Sequence, residues 1–90
     1  MLAIRFEKSF LNGYKVLTKK HYNTAKVDKI IKILQNQEAV PGKYKNHSLK
    51  GNLQGLQELH IENDLLLIYR VIDNQILLLI RIGTHNDLLK

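Results

Sequence analysis

Residues 56–82 read LQELHIENDLLLIYRVIDNQILLLIRI, and this stretch decides the fold. Three segments rich in aliphatic residues, 56–61, 65–72 and 75–82, are separated by Glu62-Asn63-Asp64 and by Asp73-Asn74. Runs of this length broken by Asn and Asp read as strands joined by tight turns. Connections so short force each strand antiparallel to the one before it, giving a meander. Upstream, residues 37–55 hold Pro41, Gly42, Gly51 and Gly55 and form a long connection, of the kind that is often functional. Before it, Val27, Ile30, Ile31 and Leu34 fall at i, i+3, i+4 and i+7, the clearest helical face in the chain. Asn23 or Thr24 caps that helix and Asn36 closes it. An earlier helix carries Phe10, Tyr14, Leu17 and His21 on one face, with Ser9 as its cap. Gly13 weakens it by about 1 kcal/mol relative to Ala. Residues 2–6 read as a first strand around Ile4 and Phe6. The expected layout is βααβββ, an α+β fold with two N-terminal helices packed on one face of a small, largely antiparallel twisted sheet.

Ninety residues make a single domain, 1–90, large enough for one modest core. The absence of cysteine excludes disulfides and thiolate metal sites and fits a reducing, cytoplasmic setting. The longest apolar runs, 65–69 and 76–80, fall far short of the roughly 20 residues of a membrane span, so no membrane role is expected. The N-terminus, with Arg5, Glu7 and Lys8 close together, lacks the apolar stretch of a signal peptide. The formal net charge of +6 points to a polyanionic partner, nucleic acid or an acidic protein. Lys26, Lys29 and Lys32 lie opposite the second helix's apolar face and are read as solvated rather than RNA-bound.

The meander makes a geometric prediction. Its first and third strands run the same way, so His60 and Arg81 sit near the same edge of the sheet, and Asp64 starts the intervening strand there. His85 follows Arg81 by one short step past Gly83. Alternation puts Glu58 and His60 on one face, and Leu78, Ile80 and Ile82 opposite Arg81. If the helices cover the apolar side, Glu58, His60 and Arg81 share the open face. The two outer strands are then about 10 Å apart, a gap that a phosphodiester and its riboses bridge. Two histidines and an arginine suit RNA cleavage without a metal. One group takes the ribose 2′-hydroxyl proton, another protonates the departing 5′-oxygen, and the guanidinium holds the phosphate. Ion pairing with Asp64, Glu58 or Glu62 is the competing reading of Arg81, and turn capping that of Asp64. His60, Glu62 and Asp64 alternate as N and O donors, but no recognisable metal motif is present and neither metal nor cofactor is expected. His21, on the first helix's apolar face, is read as structural.

The ordered set Tyr44-Lys-Asn-His47-Ser-Leu-Lys50-Gly51, Leu59-His60-Ile-Glu62-Asn-Asp64, Leu66-Leu-Ile-Tyr69 and Arg81-Ile-Gly83-Thr84-His85 resembles the YafQ branch of the RelE toxin superfamily. The resemblance is close from about Pro41 to Leu89 and rests on length and helix content before that. It implies the RelE-like fold and an endoribonuclease toxin of a type II toxin–antitoxin pair that cleaves mRNA at the ribosome. It also implies inhibition by a cognate acidic antitoxin, with operator DNA bound only by the toxin–antitoxin complex. Carried onto this chain, His85 is the catalytic histidine and general acid, Arg81 holds phosphate, and His60 or Asp64 is the general base. His47, Lys50 and Lys45 are RNA-binding. Leu65 and Leu89 fall at RNA-binding positions where relatives often carry aromatic residues, which stack on bases. A binding module for RNA, ribosome or DNA with little catalysis is the alternative.

Overall fold

The computed structural model describes residues 1–49, 51, 55–62 and 64–85. Strand β1 (Ala3–Phe6) leads into helices α1 (Lys8–Lys19) and α2 (Thr24–Gln35). After a 3-10 turn at Gly42–Tyr44 come strands β2 (His47–Ser48), β3 (Gln57–Glu62), β4 (Leu65–Ile72) and β5 (Ile76–Thr84). They form one five-stranded sheet in the order β1-β5-β4-β3-β2. The meander β3-β4-β5 is antiparallel as expected, and β1 adds to it in parallel beside β5. The connection 37–55 is not bare loop: it supplies the 3-10 turn and β2, which pairs His47 with Glu58.

Both helices lie on one side of the sheet. Phe10 and Leu17 of α1 and Val27, Ile30 and Leu34 of α2 are buried against Leu59, Ile61, Leu65, Leu67, Leu77, Leu79 and Ile82. Full burial of each such side chain is worth about 1.5–3 kcal/mol. Asn23 caps α2 as its sequence position suggests, its side chain accepting from the Lys26 N–H at 3.3 Å. Ser9 does not cap α1. The helix starts one residue earlier, behind Glu7, and the Ser9 hydroxyl donates instead to the Ile80 carbonyl across the sheet. Nor does His21 extend the face of α1. The helix ends at Lys19, and His21 sits beyond it, exposed, in a left-handed conformation with φ 61°. The β4–β5 turn closes by Gln75 N–H to Ile72 O at 2.9 Å. Both its central residues have positive φ (Asp73 53°, Asn74 56°), which Asn and Asp tolerate better than other non-glycine residues.

The largest departure from expectation is on β5. Simple alternation would place Leu78, Ile80 and Ile82 together in the core. Instead Leu77 and Leu79 are fully buried, as is Ile82, and the phase changes between them. A bulge does this: Ile68 pairs with Arg81 while the next residue, Tyr69, pairs with Leu79, so Ile80 has no partner on β4. β3 carries a second irregularity, between His60 and Glu62. Among the described residues no helix is long and apolar enough to cross a membrane.

Tyr69 is buried in the core, and its hydroxyl donates to Asn46 Oδ1 at 2.8 Å, tying the segment before β2 to the sheet. Burial raises its phenol pKa. The unfolded chain therefore loses this proton first. Stability is full below the ordinary phenol value of about 10 and falls as pH rises through the raised folded value. Chemical denaturation at a series of pH values from neutral to strongly alkaline is expected to show this fall, shallower in Tyr69→Phe. Near neutral pH the same variant is expected to lose about 1 kcal/mol with the Asn46 bond.

Candidate active site

The face of the sheet away from the helices carries the polar groups. On β3, Glu58 and His60 point outward while Leu59 and Ile61 are buried. β2 adds His47 directly opposite Glu58. The Glu58 carboxylate oxygen lies 3.4 Å from Nε2 of His47 and 3.4 Å from Nε2 of His60. The two imidazoles stack with centroids 5.8 Å apart and planes 27° apart. The second ring nitrogen of His47, Nδ1, lies 2.8 Å from the Lys45 carbonyl oxygen. A left-handed Lys45, φ 48°, sets that carbonyl, and its own side chain is exposed.

Across β4 stands the other half. Register runs from His47 to Glu58, from Glu58 to Ile68 and from Ile68 to Arg81. Glu58 and Arg81 thus flank Ile68, about 10 Å apart along the hydrogen-bonding direction. His60 is level with Leu66 and Gly83, one step nearer the sheet edge. His85 leaves the end of β5, and its backbone N–H reaches Asp64, at 3.0 Å from the carbonyl oxygen and 3.3 Å from Oδ1. Between the halves runs a groove of about 740 Å³ lined by Glu58, Leu66, Ile68, Ile80, Arg81 and His85. Glu7 and Ser9 close it beside α1.

The structure thus brings His47, His60, Arg81 and His85 to one face. Asp64 is in the turn at the edge, outside the groove lining, and its carboxylate accepts a main-chain N–H. Among the described residues neither Asp64, Glu58 nor Glu62 pairs with Arg81: Glu58 faces the two histidines, and Glu62 lies 3.9 Å from Lys26 Nζ. Leu65 is a correction. At 2 % exposure it belongs to the core with Leu67 and Tyr69, because β4 alternates and turns Leu66 and Ile68 to the open face. Its side chain is therefore outside the groove lining. Lys50 and Leu89 lie outside the described residues. Glu58, Leu66, Ile68 and Ile80 complete the site. Glu58 was legible from its alternation with His60, whereas Ile80 was not, since the bulge carries no local sequence signal.

A metal set is present, but not the alternating one. The irregularity after His60 turns Glu62 toward Lys26 on the helix side of the sheet. His47, Glu58 and His60 instead offer one ligand atom each, all within 4.8 Å of one another. Two imidazoles and a carboxylate are donors that suit Zn²⁺ or Cu²⁺.

Sequence and structural relatives agree on what such a molecule is. Residues 2–90 match the family described as a bacterial toxin of type II toxin–antitoxin system, YafQ. That places the chain among the toxins of type II toxin–antitoxin systems. Over 83 residues it is 31% identical to the mRNA interferase toxin YafQ of Escherichia coli K12, covering 91% of this chain and 89% of that one. It superposes on the crystal structure of the E. coli DinJ–YafQ complex with TM-score 0.90 and 30% identity over all of both chains. A metal-bound toxin from Helicobacter pylori matches with TM-score 0.90 and 35% identity, over 98% of this chain and 99% of that one. The chain belongs to the YafQ toxin family.

The Asp64 geometry makes a discriminating prediction. An acceptor of a main-chain N–H needs an oxygen, not a charge. Asp64→Asn is expected to keep the thermal stability of the wild type, whereas Asp64→Ala, which retains the main-chain acceptor and loses only the longer branch of the bond, loses at most about 0.5 kcal/mol. Thermal and urea melts of the two variants check this.

Proposed function

We propose that this chain is a cytoplasmic endoribonuclease, an mRNA interferase that cleaves message at the ribosome and is silenced by a cognate acidic antitoxin. The observation that carries this is the groove itself, with Glu58 on one side of β4 and Arg81 and His85 on the other, and with His60 held 3.4 Å from the Glu58 carboxylate at its rim. An RNA phosphate seated over Ile68 has a proton acceptor on one flank and a cation with a proton donor on the opposite flank.

The reaction follows from that placement. His60, beside the Glu58 carboxylate, takes the proton of the 2′-hydroxyl. The 2′-oxygen attacks the adjacent phosphorus. Arg81 binds the non-bridging oxygens and stabilises the charge that grows on them. His85 gives its proton to the 5′-oxygen as the P–O bond breaks. The products are a 2′,3′-cyclic phosphate and a 5′-hydroxyl, so atoms and protons balance with no water consumed. Asp64 holds the backbone of His85 in place rather than acting as the base. His47 and Lys45, with Lys50, steady the flanking phosphates. The net charge of +6 favours both RNA and an acidic antitoxin, and operator DNA is met only in the toxin–antitoxin complex.

None of these steps uses a metal, and a divalent ion has a place to bind only at His47, Glu58 and His60 among the described residues. Its Lewis acidity would polarise a phosphate oxygen there. It would also draw His60 and Glu58 into its coordination, so metal competes with the proposed base.

Antitoxin-free protein is expected to cleave mRNA on ribosomes in EDTA and to leave 2′,3′-cyclic phosphate ends. His85→Ala is expected to lower the rate by about 10²-fold or more. Mapping RNA ends from a bacterial host expressing wild type and His85→Ala checks both. Undiminished cleavage by His85→Ala would sink the assignment, and growth arrest without cleavage would favour a binding module. Zn²⁺ or Cu²⁺ added to the same assay is expected to inhibit, and cleavage that needs the added ion would overturn the metal-free chemistry.

A further inference from the structure

Arg81 reaches the groove only because β5 is bulged. Leu77 and Leu79 face the core, so unbroken alternation would send Arg81 in after them, under the helices. The extra residue at Ile80 reverses the phase, and it leaves Ile80 outside the pairing register with β4. Nor is it in register with β1, whose pairing with β5 stops at Phe6 opposite Leu79.

The start of α1 fills that gap. The Glu7 N–H donates to the Leu79 carbonyl at 2.9 Å. The Ser9 hydroxyl donates to the Ile80 carbonyl. One helical turn later, on the same face of α1, Gly13 lies against the Ile82 carbonyl, where an added Cβ would stand only 2.1 Å from the oxygen. The obstacle is backbone, which cannot swing aside as a side chain does. Ser9 and Arg81 also line the same groove.

We infer that Ser9 and Gly13 are positioning residues for Arg81: α1 grips the carbonyls on either side of it and holds β5 in the bulged register that aims the guanidinium at the scissile phosphate. The inference rests on the proposed phosphate-binding role of Arg81. It assigns Ser9 a part in catalysis although its hydroxyl proton is committed to the Ile80 carbonyl rather than to substrate, and it explains a glycine in the middle of a helix. Ser9→Ala removes the hydroxyl without adding bulk, and Ser9→Thr restores a hydroxyl. Gly13→Ala forces the helix off the strand.

The test is steady-state cleavage of mRNA on ribosomes by wild type, Ser9→Ala, Ser9→Thr, Arg81→Ala and the Ser9→Ala/Arg81→Ala double variant. Backbone amide NMR of the first two accompanies it. Ser9→Ala is expected to lower kcat about tenfold or more with little change in KM, and Ser9→Thr to recover most of it. Once Arg81 is absent, removing the Ser9 hydroxyl is expected to cost less than about twofold, because the two act as one unit. Equal losses with and without Arg81 would overturn the inference, as would a Ser9→Ala enzyme with unchanged kcat. The amides of Ile80, Arg81 and Ile82 are expected to shift in Ser9→Ala while those of β3 stay put, and unmoved amides would also overturn it. Should wild type fail to cleave RNA, the functional reading fails, and the amide shifts alone decide whether the grip exists. Gly13→Ala is expected to fold with a lowered melting temperature and the same amide displacement.

Discussion

The pairing of β4 with β5, with its single unpaired residue at Ile80, is the constraint on which the site depends. A strand has a period of two, so one extra residue exchanges its faces for everything that follows. Before the bulge, Leu77 and Leu79 close the core beneath the helices. After it, Ile82 resumes that duty and Arg81 faces outward opposite Ile68. A regular strand with this sequence would have to bury a guanidinium or expose Leu77 and Leu79. Burying an unpaired charge costs far more than the ladder bond that the bulge gives up. The bulge is the cheaper solution, and the same solution orients the functional group.

This is also where the sequence is hardest to read. Strand boundaries, turn chemistry and helix faces were legible because each has a local cause. Asp73 and Asn74 mark the turn, Asn23 marks the start of α2, and Val27, Ile30 and Leu34 mark its buried side. β4 was read to the residue. The phase of β5 was not legible, because 76–80 is apolar throughout and fits either face equally well. Arg81 was placed on the open side for the wrong strand register, and the structure reaches the same side by way of the bulge. Leu65 shows the reverse case. The resemblance put it at a position where relatives carry an aromatic residue, but the β4 alternation turns Leu65 into the core, and Leu66 takes the groove side. Ser9 has a cap's chemistry, a short hydroxyl beside a helix start. Its partner lies far along the chain, which no local pattern reveals.

The floor between the two halves of the site is Leu66, Ile68 and Ile80. Apolar side chains offer the phosphate no competing hydrogen bond and exclude water from beneath it. In such surroundings the attraction between Arg81 and a phosphate oxygen is stronger than it would be in bulk water. The surrounding groups are also fixed in advance, His60 by its place beside the Glu58 carboxylate and the backbone of His85 by its bond to Asp64. Little reorganisation remains for the moment of reaction, which is how arrangements of this kind lower a barrier.

The histidines and the carboxylate on β2 and β3 answer to two chemistries at once. Nitrogen and oxygen donors drawn together within 4.8 Å are what a proton relay needs and what a transition metal needs. The distinction lies across β4. Arg81 and His85 are contributed by and beyond β5, outside the cluster, and no metal at His47, Glu58 and His60 replaces the proton that the proposed mechanism draws from His85. A metal bound there would engage the same half of the site that the proposed mechanism uses for its base. The division of labour over the intervening strand, rather than the count of histidines, is what favours acid–base cleavage.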